Sequence, residues 1–166
     1  MTFSNFGVRD TARLAPAVAF RHERSPGRTR PEVSTVSEFR TLSETMLASP
    51  QIKPDDIAAA KNAGVTLIVN NRPDGEDPAA PQGEEIAAAA GAAGLDYRSI
   101  PIGHAGCSEV QVAEMVEALE EADGKVLAYC RSGTRSTFLW ALAKAKSGAA
   151  SPDEIAAAAR QAGYDV

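Results

Sequence analysis

Lys125-Val126-Leu127-Ala128-Tyr129-Cys130-Arg131-Ser132-Gly133-Thr134-Arg135-Ser136 is the stretch on which the fold turns. An apolar run, Lys125 to Tyr129, ends on a cysteine and passes through one glycine into a helical pattern from Ser136 to Lys146. Strand, tight loop and helix in that order make an anion cradle, because the loop amides and the helix N-terminus converge on one point and favour negative charge there. The residues of that cradle are Arg131, Ser132, Gly133, Thr134 and Ser136. Cys130 at its floor is the candidate nucleophile, with its thiol drawn from about 8.5 toward the roughly 3.5–7.5 range of reactive cysteines. Arg135 opposes the helix dipole, an unfavourable place for a cation unless it clamps an anion with its planar fork. Ser136 either donates to the thiolate or caps the helix.

Outward from this stretch, strand and helix signals alternate from residue 45 onward. Phe39–Leu42 and Thr45–Ala48 read as short strands around a turn. Pro54, Asp55 and Asp56 suit the first turn of a helix that runs through Asn62. Val65–Val69 is a β-branched run of central-strand character. Residues 71–83 form a loop, Glu84–Ala93 a helix, and Asp96–Ile100 a strand. A helix follows from the Ser108 capping box to Ala122, and the last runs from the Ser151 box through Ala162. This order predicts an α/β, three-layer domain with a largely parallel sheet flanked by helices. Ligands in such sheets bind at the carboxyl ends of the strands, where the loops 70–83, 101–107 and 130–135 emerge. Asp74 and His104, on the first two of these loops, are therefore candidate general acids. Arg72 either adds a second positive charge at the mouth or pairs with Glu76.

The chain has 166 residues and a net charge of −5. Residues 1–30 hold six arginines against Asp10 and Glu23, a net +4, which leaves −9 on the remainder. The expected organisation is a disordered arginine-rich extension over 1–34 and a catalytic domain over 35–166. An acidic body argues against a nucleic-acid partner. No apolar run approaches the roughly 20 residues of a membrane span, and the opening segment lacks the apolar core of a secretory signal. Two cysteines, Cys107 and Cys130, make no disulfide framework, so a cytoplasmic location is expected. No residues stand at metal-ligand spacing and no dinucleotide fingerprint is present, so no cofactor is expected.

The segments Ser49-Pro50-Gln51-Ile52, Asn70-Asn71-Arg72-Pro73-Asp74-Gly75-Glu76, Tyr129 to Ser136 and Leu139-Trp140-Ala141 carry a resemblance. Over about Ser49 to Ala143 the chain resembles the phosphatase-like domain of the bacterial beta-lactamase-hydrolase-like family, which also goes under the label of sulfur transferases. The resemblance implies a cysteine-phosphatase-like fold and a small anionic substrate. Two features depart from cysteine phosphatases. Four residues separate Cys130 from Arg135 where those enzymes have five, a spacing that resembles the rhodanese loop. The loop Ile102–Cys107 also lacks the carboxylate those enzymes use as general acid. Three functions stay open on the sequence: a phosphatase-like hydrolase, a sulfurtransferase that carries a persulfide on Cys130 and hands it to a thiol or protein acceptor, and a non-catalytic anion-binding module.

Overall fold

The computed structural model describes residues 38–166. The arginine-rich segment and the boundary expected near residue 34 lie outside the described residues. Five strands form one sheet: β1 (Arg40–Ser43), β2 (Met46–Ser49), β3 (Val65–Asn70), β4 (Asp96–Ser99) and β5 (Lys125–Tyr129), in the order β1-β2-β5-β3-β4. β1 and β2 form an antiparallel pair, and every other pairing is parallel. Among the described residues five α-helices accompany them: α1 (Ile57–Asn62), α2 (Gly83–Ala93), α3 (Glu109–Glu121), α4 (Thr134–Ser147) and α5 (Pro152–Gln161). No described helix is long and apolar enough to cross a membrane.

Alternation along the inner strands divides the core into two layers. Successive strand residues point to opposite faces. Met46, Ala48, Leu67, Val69, Val126 and Ala128 face one way, onto Met115 of α3, Leu139 and Trp140 of α4 and Ile155 of α5. Leu47, Ile68, Leu127 and Tyr129 face the other way, onto Ile57 of α1 and Ile86 of α2. Both faces of the sheet are thus covered, which is why Leu67–Val69 of β3 and Val126–Tyr129 of β5 carry apolar residues on both faces.

The middle strand is β5, with β3 beside it. Register places Tyr129 opposite both Ser49 and Asn70, and Asn70 opposite Ser99. Four strands therefore end along one edge. The loop after β2 joins the three expected there: Gln51 donates its N–H to the Arg131 carbonyl at 3.4 Å.

The expected helix boundaries move at two places, each for a local reason. α4 starts at Thr134, two residues before Ser136, because Gly133 takes a left-handed conformation (φ 91°) and ends the loop as the helix N-cap. Pro54–Asp56 forms a 3-10 turn ahead of α1. The Ser108 and Ser151 boxes close as expected, each hydroxyl accepting from the backbone N–H three residues on.

Candidate active site

β5 delivers Cys130 to the floor of the loop, where the residue is fully buried. Its Sγ accepts the Gly133 N–H at 3.1 Å. Burial is the largest single influence on this thiol and pushes its pKa up, but the backbone N–H groups of Ser136, Ser132, Gly133 and Arg135 act together against it, and the thiol titrates below its ordinary value. Four N–H groups within the span 132–136 thus converge on one sulfur.

A depressed thiol has a definite consequence for stability. The fold favours the thiolate, so this contribution is fully present above the unfolded thiol's value, near 9.0. It declines as pH falls toward the lower folded value and is absent below it. The Tm difference between wild type and Cys130→Ala is expected to shift in favour of wild type as pH rises from 5 to 9. A difference independent of pH would mean the thiol is unperturbed.

Arg135, in the first turn of α4, does not swing free. Its Nη1 and Nη2 donate to the two Glu76 oxygens at 2.7 and 3.0 Å, and Nη1 also donates to the Ile102 carbonyl at 2.8 Å. The guanidinium lies close enough to Cys130 for the sulfur to favour its charged form, after the larger influence of Glu76. Glu76 also accepts Arg72 Nε at 3.2 Å. The hydrogen bond from Arg135, with burial opposing it, and the charges of both arginines hold the Glu76 carboxyl below the usual carboxylate range.

Of the two readings of Arg72, pairing is the one present. Its side chain is 8% exposed, bonded to Glu76 and to Gln51 Oε1 at 2.8 Å. Arg135 is paired with the same carboxylate, and Arg131 is the exposed arginine of the loop. Glu76→Gln is expected to leave the fold intact and to raise KM for an anionic substrate several-fold, because the fork that fixes Arg135 loses its charge-assisted partner, a bond of about 1.5–3 kcal/mol. Steady-state kinetics check this, and an unchanged KM would mean Glu76 does not orient Arg135.

The two candidate acids occupy different places. Asp74 is exposed, and its Oδ1 accepts the Gly83 N–H at 2.8 Å, at the start of α2. It borders a recess of about 10 Å³ under the 71–82 loop, with Arg72 and Tyr129, room for roughly one water. His104 is exposed in the turn that Gly103 and Gly106 close, and it lines a cleft of about 370 Å³ together with Arg135, Thr134 and Phe138. The geometry thus brings His104, not Asp74, into the cleft that Arg135 borders. Cys107 borders the same cleft, half-buried, with its thiol pushed up by burial.

Arg131, Ser132 and Thr134 are exposed on the rim, and Ser132 Oγ donates to Thr134 Oγ1 at 3.1 Å. Ser136 is not the helix cap. It lies inside the first turn, fully buried, and its hydroxyl has no partner among the described residues. Sequence reasoning missed the anchoring role of Glu76 and the contact of Gln51 with the loop. The one available signal was the unbalanced Arg135, which required a carboxylate from somewhere along the same sheet edge.

A mixed five-stranded sheet between two helical layers, with a cysteine-to-arginine loop at the carboxyl end of its middle strand, defines a cysteine-phosphatase-like fold. The comparisons agree. The family model described as "Beta-lactamase hydrolase-like protein, phosphatase-like domain" matches residues 38–147. The chain belongs to that family. A beta-lactamase hydrolase-like protein of Xylella fastidiosa is 33% identical over 125 residues, 75% of this chain but only 29% of the relative's length. This chain therefore spans under a third of the curated relatives it matches. A Neisseria meningitidis structure solved as a candidate phosphatase superposes with a TM-score of 0.68 at 30% identity, covering 76% of this chain and 89% of that one. A variant of P. aeruginosa TpbA in complex with pTyr shares the fold, with a TM-score of 0.52 at 19% identity, covering 72% of this chain and 67% of that one.

Proposed function

We propose that this domain is a cysteine-dependent phosphatase acting on a phosphate monoester. The observation that carries the reading is the cradle itself: a buried sulfur that accepts the Gly133 N–H, is favoured as thiolate by the N–H groups of Ser132, Arg135 and Ser136, and lies beside a guanidinium fixed on two oxygens. The Cys130 thiolate attacks phosphorus, a P–S bond forms, and the P–O bond to the leaving group breaks. Loop amides and Arg135 stabilise the charge on the transferring group. The leaving oxygen takes a proton from His104, which shares the Arg135 cleft, with Asp74 as the alternative donor. Water then attacks the thiophosphate, returning inorganic phosphate and the Cys130 thiolate, while the base formed in the first step accepts the water's proton. That a TpbA variant of the same fold binds pTyr supports a small phosphorylated ligand here.

Acid-quenched intact mass after mixing with 4-nitrophenyl phosphate tests the reading. A phosphoryl adduct on the Cys130 peptide, together with phosphate release, is the expected result; release of phosphate without any dependence on Cys130 would overturn it.

One observation favours a second reading. Only four residues separate Cys130 from Arg135, and the loop after β4 offers no carboxylate. As a sulfurtransferase, Cys130 would attack the outer sulfur of thiosulfate, the S–S bond would break, and sulfite would leave a persulfide on Cys130. The same mass measurement with thiosulfate decides between the two.

A further inference from the structure

Tyr164 lies outside the 38–147 span of the family match, yet it touches the centre of the loop. It follows α5, with its N–H donating to the Ala159 carbonyl at 2.9 Å. Its ring carries the Arg40 guanidinium 5.0 Å from the centroid, and Arg40 Nη1 donates to the Ala162 carbonyl at 3.4 Å. The ring is thus held from two sides, by the α5 end and by β1.

Its hydroxyl end meets Gly133. A Cβ on Gly133 would stand 2.0 Å from Tyr164 Oη and 2.7 Å from Cζ, and the three nearest atoms all belong to Tyr164. Gly133 is the residue whose N–H reaches Cys130 Sγ at 3.1 Å. Tyr164 is 5% exposed, and its hydroxyl has no partner among the described residues. An orphaned buried hydroxyl costs about 1–3 kcal/mol, so its placement against the loop is not explained by packing economy alone. Burial pushes the phenol's pKa up, so the group remains neutral and acts through shape and dipole.

We propose that Tyr164 is a positioning residue for the anion loop, seating its hydroxyl end against Gly133 and holding that residue's N–H on the Cys130 sulfur. The consequence for turnover rests on the phosphatase reading above; the consequence for the thiol does not. The charged or titratable groups around this contact are Cys130 itself, Arg135 beside the sulfur, Asp165, which lines the Arg135 cleft, and Arg40, on the outer face of the ring and paired with Glu38 at 3.1 Å.

The pH dependence of iodoacetamide alkylation, followed at the Cys130 peptide by mass, tests the proposal in wild type, Tyr164→Ala, Tyr164→Phe and Ile155→Ala. Tyr164→Ala is expected to raise the alkylation midpoint by about one pH unit, a tenfold change in the thiolate equilibrium, and to lower kcat/KM for 4-nitrophenyl phosphate. Tyr164→Phe, which keeps the ring, falls between. Ile155 sits in the same core layer, so Ile155→Ala loses stability through a cavity and is expected to keep the wild-type midpoint. The proposal is overturned if Tyr164→Ala keeps the wild-type midpoint, or if Ile155→Ala moves it equally. Should wild type release no phosphate, the phosphatase reading fails while the alkylation midpoints still decide the role of Tyr164.

Discussion

Cys130→Ser is expected to lower turnover of a phosphate monoester by about a thousandfold or more while leaving the domain folded, a loss in the range that removal of a nucleophile produces. The cradle works on an ionised sulfur: four amides favour a thiolate and gain little from a neutral hydroxyl, which stays protonated at neutral pH. Serine is close in volume to cysteine and can accept the same Gly133 N–H, so the loop is expected to keep its path. Removing the sulfur's negative charge also removes repulsion against a bound dianion. Inorganic phosphate is therefore expected to bind Cys130→Ser at least as tightly as wild type in calorimetry. Residual turnover within tenfold of wild type would exclude Cys130 as the nucleophile, and loss of phosphate binding would show that serine has collapsed the loop.

The second large effect is expected from Gly133→Ala. Two penalties meet at one atom. The left-handed backbone, φ +91°, strains any residue with a Cβ by about 1–2 kcal/mol. The same Cβ would stand 2.0 Å from Tyr164 Oη, and that overpacking adds about 1–3 kcal/mol. Urea unfolding is expected to show a loss of roughly 2–5 kcal/mol from the two together. Gly75 supplies the control. Its φ is +78° with open space where the Cβ would go, so Gly75→Ala should show the backbone penalty alone. Equal losses at the two positions would mean that the Tyr164 contact carries no energy. Activity separates them further, since Gly133, unlike Gly75, presents its N–H to the sulfur.

What the sequence shows and what it hides divide along the distance over which each contact acts. The alternation of strands and helices, the Ser108 and Ser151 boxes and the cradle around Cys130 are written within a few residues, where periodicity and capping chemistry operate. The contact between Gly133 and Tyr164, by contrast, joins the loop to a residue from beyond α5. The Arg135–Glu76 fork joins loops 59 positions apart, and no local pattern announces such a pair. Arg72 illustrates the same difficulty. Its neighbour Glu76 was visible in the sequence, but not that one carboxylate would serve both arginines. The bond from the Gly83 N–H to Asp74 Oδ1 spans nine positions, and nothing in the chain near Asp74 announces it.

The position of α5 bears on how this domain is handled as a recombinant fragment. A terminus chosen at residue 147, where the family match stops, would keep the entire cysteine-to-arginine motif. It would also strip Ile155, Ala159 and Tyr164 from the layer that covers Leu42, Met46 and Trp140. Apolar surface uncovered in that way promotes self-association. Such a truncation is therefore expected to be recovered largely in inclusion bodies, whereas the chain carried through residue 166 is expected to stay in the supernatant.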